Sequence, residues 1–131
     1  MHCEVTRDVL ARIGEEARVA YPREACGILL GEGHRIAAFQ PAANVHPTPE
    51  THFEIDPQAL VDAHRAARRG GPQVLGYYHS HPHGPPEPSA TDRAMATGDG
   101  RVWAINGEGR VAFWCDGEDG FTALSYVMVD S

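Results

Sequence analysis

Tyr77-Tyr78-His79-Ser80-His81-Pro82-His83-Gly84-Pro85-Pro86-Glu87-Pro88-Ser89-Ala90-Thr91-Asp92 is the stretch on which the reading of this sequence turns. The aromatic and apolar residues leading into it from Gln73 favour a strand that runs to His79. Pro82 has no N–H to give and ends the pairing. A loop follows from His83 to Pro88, and Ser89 with Asp92 forms the S-x-x-D pattern that opens a helix, expected to be short and finished by Gly98. Strand, loop and helix start thus follow each other within one short segment.

Outward from this unit, the chain alternates helical and extended patterns. Val9, Ile13, Ala17 and Ala20 recur at helical spacing, predicting a helix from Thr6, its N-cap, to Tyr21, with Pro22 marking its end. Ala25-Cys26-Gly27-Ile28-Leu29-Leu30 is short and continuously apolar, as a strand covered on both faces would be. Gly31-Glu32-Gly33 turns into a partner strand at His34–Phe39. A Pro-rich loop from Pro41 to Glu50 leads to a short strand at His52–Ile55. Asp56-Pro57 starts a second helix, expected to run to about Arg69 and stop at Gly70-Gly71. Three closing strands are expected at Val102–Asn106, Arg110–Cys115 and Phe121–Met128. Neither a repeat nor a linker divides residues 1–131, so one α/β (mixed α+β) domain is expected, a mixed sheet flanked by helices.

Composition narrows the function classes. A formal net charge of −7 argues against nucleic-acid or anionic-membrane partners, which attract basic surfaces. No apolar run reaches membrane-spanning length, and the N-terminus has no apolar signal core. Cys3, Cys26 and Cys115 are odd in number and without C-x-x-C pairing, which points to a reducing cytoplasm rather than a disulfide framework. All basic residues are arginine, so the chain has no lysine on which to carry an isopeptide-linked modifier.

The chemistry concentrates in the opening stretch. Residues two apart on a strand share a face, so His79 and His81 can aim both imidazoles at one point. The loop is long enough to bring Asp92 back beside them. Two nitrogens and one carboxylate oxygen at roughly 2.0–2.2 Å would leave the fourth tetrahedral position of Zn²⁺ open, the mark of a catalytic site. On spacing alone, a metal site and two unrelated structural histidines both remain open. Ser89 reads first as an N-cap and second as a hydroxyl able to donate to an oxyanion. His83 is a solvated loop residue in preference to a third histidine ligand; His2, His34, His46, His52 and His64 have no comparable neighbours. The H-E-x-x-H of thermolysin-like proteases and the P-C-x-x-C of zinc deaminases are both missing.

Residues 79–92 spell H-S-H-P, six residues, then S-x-x-D, and this resembles the signature of the JAMM (MPN-plus) zinc metalloproteases. Tyr21 to Gly31 is similar to the family's segment carrying its catalytic glutamate, and Phe53-Glu54-Ile55-Asp56-Pro57 also finds a counterpart, so the likeness spans about residues 5 to 127. The resemblance implies a cytidine-deaminase-like sheet and one Zn²⁺ per chain on His79, His81 and Asp92. It also implies Glu24 as general base and Ser89 as oxyanion aid. Spacing does not itself select Glu24 from Glu50, Glu54, Glu87 or Asp99. The implied reaction is hydrolysis of a peptide or isopeptide bond. Small stand-alone bacterial relatives resemble this chain more than deubiquitinating members do, which implies a ubiquitin-like or sulfur-carrier protein with a C-terminal Gly-Gly tail as partner. The alternative is a non-catalytic MPN-type scaffold. The oligomeric state is left open. Cys26 reads as a small buried hydrophobe, with coordination of the zinc as its lesser reading.

Overall fold

The computed structural model describes residues 2–130. Seven strands and three helices run in the order β1 (His2–Thr6), α1 (Arg7–Ala20), β2 (Cys26–Glu32), β3 (Arg35–Ala42), α2 (Pro57–Arg68), β4 (Gln73–His81), α3 (Ala90–Met95), β5 (Val102–Gly107), β6 (Arg110–Gly117) and β7 (Gly120–Val129). The expected helices form with the expected caps. Thr6 Oγ1 accepts the Val9 N–H at 3.2 Å, and Asp56 accepts that of Gln58 at 3.1 Å with Pro57 in the first turn.

The sheet is mixed, and it closes on itself in the order β1-β3-β2-β4-β5-β6-β7. The mixed sheet expected beside the helices thus forms, closed as a barrel, and the strand that closes it is an element the sequence reading missed. His2–Thr6 is an N-terminal strand that lies parallel to β7 over five residues and parallel to β3 over two. Its short alternation, with Cys3 and Val5 inward, merges with the helical pattern that begins at Thr6. His52–Ile55 is also corrected. It forms no strand, only a single bridge between Asn44 and Ile55, while Phe53 and Ile55 point inward as buried side chains of a loop.

Burial on both sheet faces accounts for the apolar run in β2. Leu29 joins one core with Val9 and Ile13 of α1, Phe39, Tyr78 and Phe113. Cys26 and Ile28 face the other way, toward Phe53, Ala63 of α2 and Trp103. The two-residue period then decides where the chemistry goes. Tyr78 and Ser80 lie on the α1 side of β4, whereas Tyr77, His79 and His81 lie on the side covered by α2 and α3. No helix among the described residues is long and apolar enough to cross a membrane.

Candidate metal centre

Three sequence-distant segments meet at the end of β4. In the antiparallel β2–β4 pair, Cys26 stands opposite His79. One step on, the Ser80 N–H donates to the Ala25 carbonyl at 3.0 Å, and the Ala25 N–H donates to the buried Ser80 hydroxyl at 2.8 Å. Continuing that register places Glu24 across from His81, on the same sheet face. The third segment is α3. Its first turn carries Asp92, and Ser89 forms a full capping box with it: Ser89 Oγ accepts the Asp92 N–H at 3.0 Å, and the Ser89 N–H donates to Asp92 Oδ2 at 2.9 Å.

His79 Nε2 and His81 Nε2 lie 3.1 Å apart, and each lies 3.1 Å from the Asp92 carboxylate. Donor atoms around a tetrahedral ion with bonds of 2.0–2.1 Å are separated by about 3.3 Å, so this triangle has the dimensions of three corners of such a site. The tautomer of His81 agrees, whereas the buried His79 Nδ1 has no hydrogen-bond partner among the described residues. His81 Nδ1–H donates to the Pro85 carbonyl at 2.8 Å, which leaves the Nε2 lone pair facing inward. His79 is fully buried, stacked on Phe53 with ring centroids 4.2 Å apart and edge-on to Trp103 at 5.6 Å. Among the described residues, His79, His81 and Asp92 form a group whose ligand atoms lie within 4.8 Å of one another and could hold a metal ion. The donor set, two neutral imidazole nitrogens and a carboxylate, suits a divalent ion of borderline softness.

The electrostatics follow from burial and mutual contact. Burial pushes His79 below the ordinary histidine range despite its carboxylate neighbour. Burial acts the same way on His81, but hydrogen bonds to Asp92 and Pro85 and the charges of Asp92 and Glu24 outweigh it and raise its pKa. Burial alone would raise Asp92. Its contacts with the His79 and His81 rings and the hydrogen bond from the Ser89 N–H outweigh this in the metal-free fold, and the carboxyl is held well below its usual range. Glu24 is 7% exposed, and its desolvation raises its pKa to about 7, tempered by His81 and reinforced by Asp92. Glu24, His81 and Ser89 line one cleft of about 320 Å³, rimmed by Glu50, Thr51, Glu87 and the prolines at 82, 85 and 88.

Every proposed site residue is thus brought to one place. His83 is outside the cluster, exposed and edge-on to Tyr21. Cys26 is buried, its thiol pushed up to about 12 by burial and near the Ala42 and Ala43 carbonyls at 3.6 Å, and it too lies outside the cluster. The sequence reading missed Asn44. Its Nδ2 donates to the carbonyls of Glu24 (3.0 Å), Pro49 (3.5 Å) and His52 (3.0 Å), and its Oδ1 accepts from the N–H groups of His46 (3.1 Å) and Glu54 (3.0 Å). It ties Glu24, in the segment just before β2, to the loop carrying Phe53. An asparagine in a Pro-rich loop is a common turn residue, so only its long-range contacts mark it.

Residues 6–116 match the family model described as prokaryotic homologs of the JAB domain. The chain belongs to this family. A desampylase of Haloferax volcanii is 37% identical to this JAB-domain protein over 99 residues, covering 74% of this chain and 71% of the relative. A probable TtuB-protein conjugate cleaving protease of Thermus thermophilus is 44% identical over 81 residues, 60% of this chain and 55% of that protein. The solution structure of a Desulfitobacterium hafniense protein superposes with a TM-score of 0.85 at 27% identity, covering 98% of this chain and 94% of that one. The JAMM/MPN resemblance read from residues 79–92 is therefore upheld, as is the mixed single-domain α/β fold.

Proposed function

We propose that this JAB-domain protein is a zinc-dependent isopeptidase or peptidase. It hydrolyses the bond after the C-terminal glycine of a ubiquitin-like or sulfur-carrier protein, and residues 1–131 act as one catalytic domain. The observation that carries the proposal is the triangle of His79, His81 and Asp92 with desolvated Glu24 and capping Ser89 in the same cleft. The names of the Haloferax and Thermus relatives support the substrate class. Three free cysteines suit a reducing cytoplasm.

A zinc ion on these ligands supplies Lewis acidity, lowering the pKa of water and polarising a carbonyl. Glu24, whose carboxyl pKa is raised by burial in the metal-free fold, accepts a proton from the attacking water and returns it to the leaving amine. Ser89 Oγ accepts the Asp92 N–H, and this leaves its hydroxyl proton to donate to the substrate oxygen as that atom gains charge. Phe53 and Trp103 wall His79 from solvent and fix its ring plane. A scaffold role would need none of this set, and a general base held desolvated beside metal ligands is costly to keep without chemistry.

The test is direct. Purified protein should carry about one zinc per chain, and His79→Ala or Asp92→Ala should lose it. Incubation with ubiquitin-like and sulfur-carrier fusions, read by intact mass, should release the modifier ending in glycine. A wild type that binds zinc yet cleaves no such fusion would remove the proposed substrate class. One that binds no zinc at micromolar concentration removes the enzyme reading altogether.

A further inference from the structure

The loop from Pro82 to Pro88 is more than a spacer between ligands. The structure shows it clamped from below by the β5–β6 hairpin. β4 and β5 are parallel, and their register sets Gly107 directly beside His81. The loop folds back over that glycine. A Cβ at Gly107 would strike the Gly84 carbonyl oxygen and come within 2.7 Å of the Pro85 carbonyl carbon and 2.8 Å of the Pro86 nitrogen. All three are backbone atoms, which cannot swing aside. From β6, the Trp114 indole N–H donates to the Pro86 carbonyl at 3.1 Å. The neighbouring Pro85 carbonyl is the one that receives His81 Nδ1–H at 2.8 Å.

Prolines explain why the clamp has leverage. With four prolines in seven residues the segment is stiff and poor in N–H donors, so its carbonyls are left to accept from side chains. A stiff segment held at Pro86 and seated on Gly107 has its Pro85 carbonyl aimed for it. We infer that Trp114 and Gly107 are positioning residues for the metal. They hold the Pro85 carbonyl against His81 and so fix the tautomer that presents Nε2 to the ion. Neither residue touches the metal ligands' donor atoms. The inference rests on His79, His81 and Asp92 being the zinc ligands.

Trp114→Phe removes the indole N–H while keeping an aromatic ring, and Gly107→Ala pushes the same loop from the other side. Two readouts are needed: zinc affinity by competition with a chromophoric chelator, and the tautomer of each histidine ring from long-range proton–nitrogen correlation spectra of ¹⁵N-labelled protein. Losing an outer-shell partner weakens metal binding by about tenfold or more, and that is the expected effect of each variant. In the same samples the His81 Nδ1–H signal should exchange faster or be lost, with the His79 ring signals unchanged. Zinc affinity within about twofold of wild type in both variants would overturn the inference. So would weakened binding with an undisturbed His81 Nδ1–H, which would mean that the clamp acts by another route. If Trp114→Phe fails to fold, the folded Gly107→Ala protein decides by the same two readouts. A wild type without zinc affinity refutes the metal assignment instead, and the His81 signal of the metal-free protein still reports whether the clamp sets the tautomer.

Discussion

Glu24→Gln should make the zinc-free protein more stable at alkaline pH and leave it nearly unchanged in acid. The side chain is almost fully buried, and among the described residues no hydrogen bond to its carboxylate offsets its desolvation. Its pKa rises from an ordinary 4.5 to about 7. A carboxyl with a raised pKa binds its proton more tightly when folded. Its contribution to stability is fully present below the unfolded value and is lost as pH rises through the folded one. The window therefore runs from about pH 4.5 to about 7. Each unit is worth 1.36 kcal/mol, so keeping Glu24 ionised in the fold costs about 3 kcal/mol above neutrality.

Glutamine has nearly the same shape and never ionises. Urea unfolding of the chelator-treated wild type and variant should give midpoints that agree near pH 4 and separate by about 3 kcal/mol near pH 8. Zinc should narrow the gap, because a cation beside Glu24 offsets the cost of its charge. With zinc bound, the variant should keep its metal and lose hydrolysis by a factor on the order of 10² to 10⁴. A stability gap that is the same at both pH values would show that Glu24 is not desolvated in the fold. Wild-type hydrolysis by the variant would remove it from the role of base.

Three further outcomes follow from the same geometry. Ser89→Ala should cost about 1 kcal/mol of stability through the lost cap and lower kcat by about 10² with zinc retained, checked by urea unfolding and by single-turnover cleavage of a fusion substrate. Asn44→Ala breaks five hydrogen bonds among Glu24, Pro49, His52, His46 and Glu54 and should cost about 3 kcal/mol, read from the urea midpoint; a loss under about 1 kcal/mol would refute its bridging role. Asp92 has a depressed pKa, so its contribution is present above its ordinary value of 3.8 and is lost as pH falls further toward the folded value. The acid unfolding limb of the metal-free protein should therefore be shallower in Asp92→Asn, and superimposable limbs would contradict the His79–Asp92–His81 contacts.

What the sequence made legible follows from how far each contact reaches. His79, His81, Ser89 and Asp92 lie within fourteen consecutive positions, so strand period and helix cap already bring them together. Asp56-Pro57, the apolar run of β2 and the helical spacing of α1 are equally local, and each appears where its pattern says. Glu24 is different. It reaches the site because β2 pairs with β4 in one register, fixed by the exchange between Ala25 and Ser80 across fifty-five residues. No local pattern encodes that pairing, and the resemblance alone singled out Glu24.

The same distance hid β1, whose longer pairing is with β7 at the far end of the chain, and Asn44, which looks like any loop asparagine until its five partners are in place. It also explains the misreading of His52–Ile55. Alternation there is real, since Phe53 and Ile55 are buried and Glu54 is exposed, but alternation reports burial and not pairing. Asn44 takes up the backbone groups that a neighbouring strand would otherwise have satisfied. A loop tied by the Asn44 side chain and by one bridge, with the Val45 N–H on the Glu54 carbonyl and the Asp56 N–H on the Ala43 carbonyl, holds Phe53 flat against His79 without a longer ladder.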